Sequence, residues 1–262
     1  MTTSPIAEPL FDAHLHLDDR VAGGAENAVR HLLSQMDEAG VSHAVVLQLR
    51  WQRWHVEEVA EALAGQPRLI GFVNIDPTTP ALDRQLEQAR ALGYRGLKLH
   101  PRLQRHRPDD PRCIELVRAA GSLGWPALLD AFPDGEWLMD GLTVQHYGRL
   151  AREAPEARVI VAHAAGHHCI DLMMVAKRVP NLWFDISYSW LYYHERIVAD
   201  LAYCIRSMRG ERVLFGTDYP DRSLPDSISM SLSRLAQHGV SDDLQRKLLW
   251  ENAQCLLRPT TA

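Results

Sequence analysis

The stretch Phe11-Asp12-Ala13-His14-Leu15-His16-Leu17-Asp18 sets two imidazoles two residues apart in an apolar run. In an extended strand, positions i and i+2 point to the same face. As a strand, the segment stands His14 beside His16 and turns Ala13 and Leu15 the other way. Two neutral imidazoles on one face are half of a metal site. They are equally two polar residues at a strand end, and the rest of the chain has to decide between these.

Seven further short apolar runs follow: Ala44–Leu49, Leu69–Ile75, Gly96–His100, Ala127–Phe132, Val159–Ala164, Leu182–Ser187 and Val213–Asp218. Near-continuous apolar runs of this length are what parallel strands buried on both faces require. Helix-period segments lie between them. One ends on Gly40, a C-terminal cap signal. Another is expected to start with Thr79 as N-cap and Pro80 in the first turn, ending on Gly93. A last one starts at Ser241. Strand–helix alternation repeated eight times predicts a (β/α)8 TIM barrel. An open doubly wound sheet is the alternative, but it wants a glycine-rich phosphate loop after the first strand. Val21–Gly24 has neither the spacing nor the position.

Bulk properties agree. The 262 residues, 46% hydrophobic, suit one barrel domain over 1–262 with its core at about 11–257. No apolar run approaches the ~20 residues of a membrane span. The first residues lack the basic-then-apolar pattern of a signal peptide. A net charge of −5 without a basic block argues against nucleic acid or anionic membrane as a partner. Cys113, Cys169, Cys204 and Cys255 are far apart and form no CxxC, so they read as free thiols in a reducing cytoplasm.

In a barrel, functional side chains sit at the C-terminal ends of the strands. Here the first strand ends with His14 and His16, the fourth with Lys98 and His100, and the fifth with Asp130. The sixth carries His163, the seventh Asp185 and the eighth Asp218. Core packing alone does not predict that concentration, because buried ionisable groups are costly without partners.

These motifs, "DAHLH", "GLKLHP", "VIVAHAAG" and "VLFGTDYP", resemble the amidohydrolase superfamily. They are closest to its amidohydrolase-related branch, also called amidohydrolase family 2. Order and spacing match from Phe11 to about Leu257, and "WENAQCLL" is similar to that family's last helix. The resemblance implies a metal-dependent hydrolase, decarboxylase or lactonase. It makes His14 and His16 metal ligands, and Asp218 both a ligand and the acceptor of a proton from the attacking water. His163 would polarise the substrate or shuttle a proton. Many relatives carry a fifth-strand histidine as a further ligand; this chain has Asp130, whose carboxylate also suits zinc or manganese. One divalent ion is therefore expected, zinc first, with manganese, iron or cobalt as substitutes and a metal-free site as the alternative.

Lys98, His100, Arg102, Asp185 and Tyr188 are the expected substrate contacts. Asp185 supports a neighbouring ligand or bonds backbone as an alternative, and Arg105 and Arg107 are further candidates for a substrate carboxylate. His167 and His168 are expected at the surface. Two aromatic loops, Arg50–His55 and Ser187–His194, lie on the mouth side and point to a cyclic substrate, or else to loop packing or a homodimer contact. The leading expectation is hydrolysis of a small cyclic or carboxylated molecule. Its rivals are non-oxidative decarboxylation of an unsaturated or aromatic acid, metal-independent lactone hydrolysis, and a non-catalytic binding protein.

Overall fold

A computed structural model describes residues 9–257. Its eight strands are β1 (Leu10–Leu15), β2 (Val41–Leu47), β3 (Leu69–Asn74), β4 (Leu97–Leu99), β5 (Ala127–Leu129), β6 (Val159–Val161), β7 (Leu182–Asp185) and β8 (Val213–Leu214). Each pairs in parallel with the next, in chain order, with helical segments between. The ring closes from β8 back to β1. Ala13 N donates to Phe215 O (2.9 Å), Asp218 N to His14 O (2.8 Å) and His16 N to Tyr219 O (2.8 Å). The fold is the (β/α)8 TIM barrel that the strand–helix beat predicts. No helix among the described residues is long and apolar enough to cross a membrane.

Strand alternation produces two apolar layers. Leu10, Leu15, Val46, Leu97, Leu99, Leu129 and Val161 face outward and pack on the helices. Phe11, Ala13, Val45, Leu47, Phe72, Leu128, Ile160 and Leu214 fill the lumen, and Ala253, Leu256 and Leu257 of the last helix pack against them. The polar residues therefore stand above an apolar plug, at the end where the strands stop. Most strands end sooner than their apolar runs. Asp130, His163 and Asp218 follow the last paired residue, where the backbone turns and the side chain is free to lean over the lumen.

Two expectations are corrected. Ala13 does not share a face with Leu15; it joins the lumen while Leu15 packs outward. The register of β1 on β2 slips between Asp12 and Leu15. A bulge of this kind re-aims side chains. Asp12 accounts for it: its Oδ1 accepts the amide of His14 (3.0 Å), and the carboxylate also takes Thr217 N (3.1 Å) and Thr217 Oγ1 (2.6 Å). The second correction concerns the helix expected from Thr79, which runs Leu82–Ala91. Thr79 is committed to a turn instead, donating through N (3.1 Å) and Oγ1 (2.7 Å) to Asp76 O. Gly40, in contrast, ends its helix in the left-handed region at φ 71° as expected.

Candidate active site

A cavity of about 340 Å³ opens at the C-terminal end of the barrel. His14, His16, Lys98, His100, Arg102, Asp130, His163, Tyr188 and Asp218 line it, with Leu49, Trp51, Phe132 and Asp134. A larger cleft of about 620 Å³ lies elsewhere, between Phe11, Ile70, Tyr94 and Leu257. Among the described residues that cleft carries His43 and Arg95 as ionisable groups besides Tyr94, so volume alone does not mark the chemistry.

The β1–β8 side brings three donor atoms together. His14 Nε2 lies 3.2 Å from Asp218 Oδ1, and His16 Nε2 lies 3.4 Å from the same oxygen. The far nitrogens are anchored. His14 Nδ1 meets Asp185 Oδ2 at 3.0 Å, and His16 Nδ1 meets Leu47 O at 2.8 Å. Each anchor fixes a ring orientation that leaves Nε2 facing the cavity. His14 Nε2 is buried yet has no aligned hydrogen-bond partner. Burial and Lys98 disfavour a proton on His14, but Asp185 and Asp218 outweigh them and push it up to about 9. Burial would raise Asp218; His14 and His16 hold it well below the usual carboxylate range. Burial keeps His16 below its ordinary value, against the pull of Asp218. An orphaned imidazole nitrogen, a neutral imidazole and an ionised carboxylate on one point are a donor set that fits a divalent cation. The structure can take one there.

Backbone strain holds this side in place. Asp218 has φ 60°, a region that non-glycine residues rarely enter. Gly216 lets the β8 loop pass close to β1, since a Cβ there would sit 2.6 Å from His14 Cβ. His163, Ala164 and Ala165 also have positive φ, and Asp185 Oδ1 secures that turn by accepting His163 N at 3.0 Å.

The β4–β6 side is built differently. Asp130 lies outside the His14–His16–Asp218 group. Its oxygens face Arg102 Nε at 3.2 Å, His163 Nε2 at 3.3 Å and His100 Nδ1 at 3.5 Å. Arg102 also pairs with Asp134. Burial opposes ionisation of Asp130, yet the hydrogen bond with His163 and the charge of Arg102 hold it well below the usual carboxylate range. Burial drives His100 down to about 3, so it is neutral. The Asp130 carboxylate is thus satisfied by the protein's own guanidinium.

Asp185 does not line the cavity. It is fully buried, and its oxygens take His14 Nδ1, His163 N and Ser187 N (2.9 Å). It therefore bonds the His14 ring and neighbouring backbone together, and it is not at the cavity surface where a substrate contact is expected of it. Ser187 is a residue that the sequence did not single out. Its Oγ lies 3.0 Å from both His14 Nδ1 and His163 Nδ1, and it donates to Asp185. The i, i+2 spacing from Asp185 was the available signal. Tyr188 lines the cavity and meets Phe132 edge-to-face at 4.9 Å; Trp51 meets His100 at 5.2 Å. Of the other expected aromatics, Trp54 is core. Arg105 and Arg107 line a different opening, and Arg107 pairs with Asp109 at 3.1 Å. His167 is exposed, whereas His168 is half-buried against Trp137.

The amidohydrolase family model (Amidohydro_2) matches residues 11–258, so the chain belongs to that family. No curated protein matches it. Among solved structures, an uncharacterised TIM-barrel protein from Bordetella bronchiseptica is similar at 21% identity and TM-score 0.78, covering 95% of this chain and 98% of that one. A candidate 2-pyrone-4,6-dicarboxylic acid hydrolase from Pseudomonas putida is similar at 20% identity and TM-score 0.69, covering 95% and 97%. The 5-carboxyvanillate decarboxylase of Sphingomonas paucimobilis is similar at 14% identity and TM-score 0.67, covering 96% and 99%. Likeness at these identities establishes the shared fold.

Proposed function

We propose that the protein is a metal-dependent hydrolase of small cyclic esters, amides or related acyl compounds. One observation carries this: two imidazole Nε2 atoms and one carboxylate oxygen converge at 3.2 and 3.4 Å on the wall of the cavity. His14, His16 and Asp218 would hold one divalent cation, zinc first by donor type, with manganese, iron or cobalt as substitutes. When bound, such an ion supplies a Lewis acid that polarises an acyl oxygen and acidifies water. Asp218, kept ionised, accepts the proton of the attacking water. His163 faces the same space, its backbone amide tied to Asp185 and its Nδ1 to Ser187 O at 3.1 Å. It stabilises charge that develops on the acyl oxygen, and Asp218 returns the proton to the leaving group. Asp130 Oδ1 meets the other nitrogen of that imidazole, Nε2, at 3.3 Å, and Arg102 pairs with the same carboxylate.

A second reading follows from the donor count. Asp130 is engaged by Arg102 and His163, so among the described residues three donors converge on this point, and a metal-independent lactonase would use the same Asp218 and His163. Decarboxylation, the activity of the Sphingomonas paucimobilis relative, is the third. The test is elemental analysis of protein purified without added metal, followed by turnover of lactones and cyclic carboxylates with and without chelator. Hydrolysis lost on chelation and restored by zinc supports the proposal. Activity that survives chelation selects the lactonase, and CO₂ release without water uptake selects the decarboxylase.

A further inference from the structure

Lys98 is the middle residue of β4, and its neighbours Leu97 and Leu99 pack outward on the helices. Its side chain therefore points into the barrel, where it is 1% exposed and reaches the cavity. Its own carbonyl accepts Asn74 Nδ2 at 2.9 Å, but its ammonium makes no hydrogen bond or ion pair with any described residue. Burial pushes the Lys98 ammonium down from its ordinary value, against Asp130, Asp218 and Asp185, which favour the charge only from a distance. An ammonium removed from water without an acceptor is costly. The one direction from which an acceptor can come is the cavity.

Arg102, the guanidinium on the cavity wall, is already used: it bridges Asp130 at 3.2 Å and Asp134. His14, with its proton favoured by Asp185 and Asp218, stands on the β1–β8 side against Asp218. Flat apolar surface comes from Trp51 beside His100, and from Phe132 with Tyr188.

We propose that Lys98 is the anchor for a carboxylate on a flat cyclic substrate, and that the cavity prefers ring carboxylates to their neutral isosteres. The carboxylate meets the unpaired ammonium. The aromatic walls take the ring faces. This deepens the hydrolase proposal and rests on it for the reaction, but the binding step stands apart from turnover.

The experiment measures binding by calorimetry to chelated and to zinc-loaded protein. The probes are benzoate and its neutral isostere benzamide. Wild-type protein is expected to bind benzoate at least about tenfold tighter than benzamide. Lys98→Met is expected to weaken benzoate about tenfold or more and leave benzamide within about twofold. Lys98→Arg, which keeps the charge, is expected to retain the preference for benzoate; it decides the matter should Lys98→Met not fold by circular dichroism. Equal binding of benzoate and benzamide, unchanged benzoate affinity in Lys98→Met, or loss of the preference in Lys98→Arg overturns the anchor. Intact benzoate discrimination without any acyl hydrolysis overturns the reaction and leaves the anchor standing.

Discussion

The cavity has two carboxylates with opposite circumstances. Asp218, on the β1–β8 side, is held ionised by imidazoles whose second nitrogens are tied to Asp185 and Leu47 O. Asp130, on the β4–β6 side, is held ionised partly by Arg102, a permanent cation of the chain itself. One side thus leaves its positive charge to a proton or an ion from solution; the other brings its own. An imidazole that gives up its proton offers a lone pair to a cation, whereas a guanidinium has only donors and excludes one. In the proposed function, chemistry that needs an exchangeable charge belongs on the first side, and positioning belongs on the second.

Replacing the two carboxylates in turn is the strongest attempt to break that contrast. Asp218→Asn is expected to lower kcat by roughly 10²–10⁴-fold with the fold intact by circular dichroism. Asp130→Asn is expected to lower thermal stability, by about 1–3 kcal/mol for leaving buried donors short of a partner, with a smaller loss of kcat. Steady-state kinetics and melting curves on both variants read this. Full activity in Asp218→Asn would sink the assignment of the reactive side.

The pH response of stability comes next. His14 has its ordinary value of 6.5 raised to about 9 in the folded protein. Its protonated form therefore contributes stability that is complete below about 6.5 and lost as pH rises through about 9, on the order of 3 kcal/mol. A cation seated on Nε2 displaces that proton. Chelated protein should lose melting temperature between about pH 6.5 and 9, and zinc-loaded protein should not. Parallel curves for the two forms would place the titrating proton elsewhere.

Ser187→Ala removes the hydroxyl shared by His14 and His163 while leaving Asp185 in place. A loss of about 10–100-fold in metal affinity or kcat is expected, partly recovered by Ser187→Thr, with metal titration and kinetics as the measurements. The smallest effect is expected at Arg107, paired with Asp109 at the surface. Arg107→Ala should leave kcat/KM within about twofold and stability within about 1 kcal/mol. A large rise in KM would return the basic loop to the substrate site.

The barrel was legible because its pattern is local and repeated: apolar run, turn, amphipathic helix. The polar strand ends were legible for the same reason, since each is marked by the apolar run before it. Helix starts were less so. Thr79 has the chemistry of a cap, and only the position of Asp76 O decides that it serves a turn instead. The bulge at Asp12–Leu15 was hidden, because it arises from Thr217, distant in sequence, drawing on the Asp12 carboxylate. The parts played by Asp130 and Ser187 were hidden likewise. An aspartate at a strand end reads equally as a ligand or as a partner of Arg102, and a serine two residues past Asp185 reads as any loop serine.

By itself, the sequence determined the barrel, the end at which the site lies, and the residue types available there, because periodicity and strand polarity are properties of neighbouring residues. Only the tertiary structure decided which carboxylate stands free and which is consumed, and which ammonium remains unpaired. Those are matters of distance between strands that the chain brings together only when the barrel closes, and electrostatic pairing falls off over a few ångströms.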